Sequence, residues 1–363
     1  MALSTERVAS VLWKQMHGLI CVYKPPDITL GRLVQNLRLI IPAGLNKMIV
    51  RQPRKVIRYD ATVGMPVETI ETDYSDHPLV IGPRYEPSEI RYFCASALTL
   101  HGGGVCMVGL NGGRHLAKDL ESSKPVRVYR LVGQLGLATD NLHKSGKVVE
   151  RTTFHKVHRS IIDSVVAAMQ SSHQRHMYHN SGVNIQSQTA YDLAVKGLLR
   201  PADDSFPIIY NIKCVDFTRP FFTIEVACIN EREDQLMGLI HTIGLKVKSA
   251  ARCNSIKCIR YGPFTLEHAL LQHQWKVDKI ASNIQMCNAI NEEDIKSGRR
   301  ENIDLVPMEM NREEKWENED REDWNQPLSS AVRGPANQRE RRRLNHLESR
   351  NQINGQLHSG NEE

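Results

Sequence analysis

The stretch LTLHGGGVCMVGLNGG, residues 98–113, places six glycines around two short apolar runs. Glycine has no Cβ, so it lets the backbone approach a neighbour closely and adopt positive φ. The stretch therefore predicts either a backbone loop wrapped around a ligand or a glycine-rich turn between strands. Spacing alone favours the turn.

Three ligand-binding motifs were compared with this stretch. A phosphate loop of the Walker type needs Lys and Ser or Thr after its last glycine, but Leu110 and Asn111 follow Gly109. No register supplies the G-x-G-x-x-G of a dinucleotide fold. His101 to Gly104 match the HGGG oxyanion loop of esterases, but the G-x-S-x-G nucleophile motif of those hydrolases is absent. A serine hydrolase is excluded.

Charge is distributed unevenly along the chain. Residues 292–363 hold 12 Lys and Arg against 17 Asp and Glu, and the rest holds 35 against 24, a net charge of +11. A basic body favours a polyanionic partner such as nucleic acid, although a basic surface that serves solubility gives the same count. The tail from residue 291 to 363 has no apolar periodicity and is predicted to be disordered.

Cysteine usage indicates a reducing compartment. Most of the eight cysteines lie in apolar segments that are typical of strands, and no C-x-x-C motif or zinc-ligand spacing occurs. No apolar run is long enough to cross a membrane. Residues 1–18 form a weak candidate for a mitochondrial transit segment, so matrix, cytoplasm and nucleus remain open.

Periodicity predicts an α+β domain over residues 19–290. Strands are expected at GLICVYK, VCMVGL, VRVYRLVGQLG and the hairpin IIYNIKCVDF/FFTIEVACI, with a basic strand through KVKSAARCNSIKCIRYG. Helices are expected near residues 30–40, in HRSIIDSVVAAMQ, TAYDLAVKGLL and EDQLMGLIHTIG (ending on Gly244), and last in TLEHALLQHQ. The irregular alternation predicts a large, mixed, mostly antiparallel sheet flanked by helices.

Several sequence segments follow one another in the order found in a known protein family. GLICVYKPP, HPLVIGPRY, LTLHGGGVCMVGLNGGRHL, YRLVGQLGLATD, SHQRHMY and TAYDLAVKGLLRP together resemble the TruB family of RNA pseudouridine synthases. Within it, the similarity is greatest to the branch found in animal mitochondria. The resemblance runs from Leu19 to Trp275, and it makes the mitochondrial matrix the expected compartment.

The resemblance implies the pseudouridine-synthase fold, with RNA held in a basic cleft and no cofactor or metal. Family members flip a uridine out of its helix, break its glycosidic bond and rejoin the base through carbon. The chemistry rests on an aspartate in the glycine-rich region, held by an arginine on a later helix, while a tyrosine stacks on the flipped base. The bacterial members' C-terminal RNA-binding module has no visible counterpart here.

Two of these three functional positions are substituted. The aspartate position, five residues before Gly104, holds Thr99, and no Asp or Glu occurs between Glu89 and Asp119. The arginine position, seven residues before Gly244, holds Met237, whereas the tyrosine is present as Tyr129. An unpaired buried charge costs about 3–5 kcal/mol, so loss of both partners is mutually consistent.

Other residues are candidates for RNA contact, with a solvated surface as the alternative for each. His101 on the glycine-rich stretch could face RNA or assist Thr99. The remaining candidates are basic or aromatic side chains suited to phosphates and bases: Arg114, Lys118, Tyr178, Lys246, Lys248 and Arg252. The histidines near Tyr178 have no metal-site spacing.

Three functions stay open from the sequence. The first is an RNA-binding protein on the TruB scaffold that lacks pseudouridine synthesis and acts on tRNA, rRNA or mitochondrial mRNA. The second is an active uridine-to-pseudouridine isomerase. The third is a structural subunit held by protein partners in RNA processing or ribosome assembly.

Overall fold

The computed structural model describes residues 9–48, 54–59, 66–71, 78–96, 98–180, 182–196 and 207–297. From residue 298 onward, the tail that the sequence predicts to be disordered lies outside this described part. Within it, no helix combines the length and apolarity that a membrane crossing requires.

An eight-stranded sheet forms the centre of the domain. Its main order is β1-β5-β11-β6-β10-β9, with β4 also paired to β5 and β12 to β11. Among the strand pairs that the structure describes, only β5–β11 is parallel, which confirms the expected mixed, mostly antiparallel sheet. The strands are β1 (Gly18–Lys24), β4 (Tyr92–Ala95), β5 (Gly102–Leu110), β6 (Arg127–Leu135), β9 (Ile208–Thr218), β10 (Phe221–Ile229), β11 (Ala251–Tyr261) and β12 (Phe264–Thr265).

Two small hairpins and the helices complete the described part. The hairpins pair β2 (Arg54–Tyr59) with β3 (Pro66–Glu71), and β7 (Leu137–Thr139) with β8 (Val148–Arg151). The helices are α1 (Ala9–Gln15), α2 (Leu30–Leu45), α3 (Pro78–Ile81), α4 (Arg114–Ser122), α5 (Arg159–Asn180), α6 (Gln188–Lys196), α7 (Glu233–Lys246) and α8 (Val277–Lys296).

The glycines of the opening stretch lie mainly inside a strand. All nine residues of β5 are buried. A Cβ on Gly104 would collide with the backbone of Cys258 on β11, and its φ of +115° is one that L side chains rarely adopt. A Cβ on Gly113 would likewise collide with Gly18. These glycines allow backbones to pack closely, so the expectation of a glycine loop wrapped around a ligand is wrong for them.

Two apolar clusters flank the sheet. The larger cluster joins α4, α5 and α7 to β5, β6, β9, β10 and β11. The second joins α1, α2 and α8 to β1 and β5. Strand β5 contributes to both clusters, which explains its complete burial and fixes the position of the loop before it.

The C-terminal half departs from the sequence prediction in three places. Helix α7 continues past Gly244 to Lys246, and β11 begins only at Ala251, so Lys246 and Lys248 are not on a strand. The predicted helix TLEHALLQHQ is wrong, because Leu270 instead exchanges backbone hydrogen bonds with the edge strand β1. The last helix is α8, and it continues to Lys296, beyond the domain end expected at residue 290.

Candidate functional site

The loop of residues 98–101, just before β5, carries the substituted catalytic position. Thr99 is exposed, and its backbone N–H donates to the Glu233 carboxylate at 2.7 Å. The N–H of His101 donates to the other oxygen of that carboxylate at 2.8 Å. Glu233 is buried at the first position of α7, where a negative charge is favourable. The carboxylate therefore fastens the loop to α7.

A buried lysine holds the same loop from β1. Lys24 is 0 % exposed, and its ammonium donates to the carbonyl oxygens of Pro25 at 3.2 Å, Leu100 at 3.3 Å and Gly102. Burial lowers the pKa of Lys24, while the Glu233 carboxylate opposes that shift. Two opposite charges thus fix the loop through its backbone.

A histidine pair closes one side of the loop. The rings of His101 and His143 stack with centroids 4.1 Å apart, and His101 Nδ1 lies 3.6 Å from a carboxylate oxygen of Asp27. His143 is 2 % exposed, and its Nδ1 lies 3.0 Å from the Ser145 hydroxyl. Burial, aided by His101, lowers the pKa of His143 to about 4. His143 is therefore neutral at neutral pH.

The depressed pKa of His143 predicts a loss of stability on acidification. An unfolded His takes up a proton near pH 6.5, but the folded protein resists protonation of His143 down to about pH 4. Stability should therefore fall as the pH drops through this range, by up to about 1.4 kcal/mol per unit. Urea unfolding at about pH 7 and pH 5 checks this. His143→Gln should show a smaller pH dependence than wild type, and an equal dependence would refute the assignment.

Tyr129 belongs to a buried polar group next to the start of α7. It is 1 % exposed, and its hydroxyl donates to the Glu231 carboxylate at 2.6 Å. Arg127 donates to the same oxygen at 2.8 Å. Burial raises the pKa of the Glu231 carboxyl, and the Arg127 guanidinium opposes that shift. Base stacking by Tyr129 stays a prediction, and a base could reach the ring only if the groups that cover it moved.

Met237 lies one turn beyond Glu233 on α7. Its side chain is partly buried and packs against the larger apolar cluster. Within the described part of the chain, no side chain hydrogen-bonds the Thr99 hydroxyl. The residues that replace the family's charged pair therefore form no acid–base pair here.

The other predicted basic RNA-contact residues lie on separate elements of the fold. Arg114 begins α4 beyond the end of β5, roughly 26 Å along the strand from Gly102, and Lys118 follows one turn later on that helix. Lys246 closes α7, and Lys248 follows it in a turn; both are exposed. Arg252 lies nearer the loop of residues 98–101. The adjacent Cys253 forms a β-bridge with His143, and the His143 ring stacks on that of His101 in the loop.

Tyr178 lies near the C-terminal end of α5, away from these basic residues in sequence. It is half-buried and packs against a small separate cluster of Met177, Ile208 and Ile229. Its proposed contact with RNA stays a prediction.

Sequence reasoning missed the groups that hold the site together. These are Asp27, Arg127, His143, Glu231 and Glu233. The acidic pair around Arg232 at the start of α7 was the available signal, since buried carboxylates at a helix start need partners. In the described ranges, no three His, Cys, Asp or Glu side chains gather as a metal site.

Comparison with known proteins gives the family. Residues 97–232 match the N-terminal domain of the TruB family pseudouridylate synthases. "Pseudouridylate synthase TRUB2, mitochondrial" of Xenopus tropicalis is 35% identical over 77% of this chain and 87% of its own length. The protein of that name from Homo sapiens is 33% identical over 75% and 84%.

A more distant relative and a solved structure complete the comparison. "Pseudouridylate synthase TRUB1" of Homo sapiens is 28% identical over 52% of this chain and 56% of its own length. The archaeal box H/ACA sRNP Nop10-Cbf5 complex aligns at 16% identity and a TM-score of 0.41, covering 76% of this chain and 60% of that chain. On the identity and coverage of the TRUB2 relatives, this chain belongs to the TruB family of pseudouridylate synthases.

Proposed function

We propose that this protein binds RNA on the TruB scaffold without converting uridine to pseudouridine. The observation that carries the proposal is that, among the described residues, no side chain hydrogen-bonds the Thr99 hydroxyl. A threonine hydroxyl is a weak nucleophile unless a base takes its proton. His101, the nearest candidate in sequence, instead stacks on His143 and faces Asp27.

The presence of Met237 at the family's arginine position supports the same conclusion. In the family pattern a cation at this position holds the catalytic carboxylate ionised and oriented. Here the side chain is apolar and packs into the core. Position 237 therefore lacks the positive charge that would orient a carboxylate or stabilise charge that develops at the reacting sugar.

Buried charged groups hold the Thr99 loop in place. Glu233 and Lys24 bind the backbone of the loop, and Arg127, Tyr129 and Glu231 form a buried network beside it. Such networks are costly to bury unless each charge is paired. A loop that is fixed by buried charges but lacks the family's catalytic pair favours a binding role over turnover.

The basic body and the family support RNA as the partner. Residues before Glu292 carry a net charge of +11, and Lys248 and Arg252 lie in the chain just before and at the start of β11. Relatives named as mitochondrial support the matrix as the compartment, with tRNA, rRNA or mitochondrial mRNA as the RNA bound.

Crosslinking in cells tests this function. The tagged protein is crosslinked to RNA and the recovered RNA is sequenced, while pseudouridine is mapped in cells with and without the protein. We expect defined RNAs to be recovered and their pseudouridines to be unchanged. Loss of a pseudouridine within a bound RNA would show an active isomerase, and recovery of proteins without RNA would show a structural subunit.

A further inference from the structure

We propose that the face of the sheet that points away from the buried Tyr129 ring is a second RNA-contact surface, which binds the phosphate backbone through three basic side chains in a row of charged residues that crosses four strands. The proposal rests on the RNA-binding function above and adds a surface separate from the Thr99 loop. The row contains three cations and one carboxylate, in the order Lys213 on β9, Glu225 on β10, Arg130 on β6 and Lys257 on β11.

Strand register places these side chains on one face. Lys213 is opposite Glu225, Glu225 is opposite Arg130, and Arg130 is opposite Lys257. Paired residues on neighbouring strands project to the same side of a sheet, and successive residues along a strand alternate. Because Tyr129 is buried in the larger cluster, Arg130 must project from the other face. The four residues therefore form one line across the sheet.

The row is open to solvent where its charges lie. The side chains of Lys213 and Arg130 are 61% and 49% exposed, and the Glu225 side chain between them is 15% exposed. The Glu225 carboxylate accepts hydrogen bonds from Arg130 at 2.6 Å and lies 3.2 Å from the Lys213 ammonium. One carboxylate thus holds two cations in place on the surface without cancelling both.

The neighbouring rows strengthen the positive charge. Arg252 is opposite Gln134, and Arg260 is opposite Val128, both on the same side of β6 as Arg130. With these two, the face carries five cations against the carboxylates of Glu225 and of Asp216, which is opposite Thr223. The net charge of about +3 on a surface of paired strands suits a polyanion rather than a neutral protein surface.

At the β11 end of the row, Lys257 reaches an aromatic ring that itself packs against the larger apolar cluster. The Lys257 ammonium is 5.5 Å from the centre of the Tyr23 ring on β1, and both side chains are partly exposed. Arg, Lys and amide side chains such as Gln134 are among the groups that contact phosphate and sugar. RNA is therefore the occupant that the chemistry favours.

RNA binding by charge-neutral variants tests the surface. The paired variant Arg130→Gln/Lys257→Gln is compared with Lys279→Gln/Lys296→Gln, which removes the same charge from exposed positions on α8. Full-length proteins are titrated into a fluorescent, unmodified tRNA transcript at several KCl concentrations. Circular dichroism checks folding, and Lys257→Gln alone serves if the double variant is unstable.

We expect the sheet-face variant to bind more weakly and its salt dependence of log Kobs to become shallower by about 1 to 2. The α8 variant should keep the wild-type affinity and slope. A sheet-face variant that binds like wild type would overturn this surface while leaving the RNA-binding function intact. No binding by the wild-type protein itself would overturn both.

Discussion

Replacing Glu231 by Gln is expected to lower the free energy of unfolding by about 3–5 kcal/mol, the cost of removing one partner of a buried ion pair. Glu231 is 4% exposed and accepts hydrogen bonds from Arg127 and Tyr129. Glutamine keeps the shape and one acceptor but leaves the Arg127 charge buried without a counter-ion. Urea unfolding followed by circular dichroism measures the change as a shift in midpoint.

Two variants separate the buried charge from side-chain size. Glu225→Gln breaks an ion pair with Arg130 at the surface and should cost at most about 1 kcal/mol. Arg127→Met combined with Glu231→Leu removes both buried charges and should recover much of the stability lost in Glu231→Gln. Equal losses in Glu231→Gln and Glu225→Gln would show that burial of the Arg127–Glu231 pair does not matter.

Restoring both charged residues of the family pattern is expected to restore isomerisation. Thr99→Asp alone places a new carboxylate near that of Glu233, and the two like charges favour protonation of one of them. Adding Met237→Arg supplies a cation one turn along α7. The double variant should therefore exceed either single variant in rate by roughly 100-fold or more, the usual effect of one group that stabilises developing charge.

Release of tritium from RNA labelled at carbon 5 of uridine measures this reaction, because the new bond to the sugar forms at that carbon and displaces its hydrogen. Thr99→Asn/Met237→Arg is the matched control, since asparagine has the shape of aspartate without its charge. Product from Thr99→Asp alone at a rate comparable to that of the double variant would contradict the argument that the two losses are coupled.

The sequence predicted the elements whose pattern is local. The β9–β10 hairpin and α5 follow from apolar spacing, and β1 has the extent of the predicted strand GLICVYK. The prediction of a helix at TLEHALLQHQ was wrong, because apolar spacing along the chain does not indicate that a strand edge lies nearby. Leu270 bonds to the backbone of Cys21 and Tyr23, and this tertiary contact overrides local preference.

The candidate site was predictable only in part for the same reason. Thr99, Met237 and Tyr129 were found because the family pattern fixes their spacing. Glu233 and Lys24 hold the Thr99 loop from positions 134 residues after and 75 residues before Thr99. Their role depends on the sheet bringing β1, β5 and α7 together, which no local pattern expresses. The glycines of β5 also became interpretable only once Cys258 was seen beside Gly104.

Binding without reaction is the central claim, and one single-turnover assay tests it. Wild-type protein in excess is incubated with a uridine-tritiated tRNA transcript, and the same sample is divided for filter binding and for tritium release. We predict that the RNA is bound and that release does not exceed the protein-free blank. Release of tritium in proportion to the RNA bound would contradict the account and make Thr99, or another group, competent for catalysis.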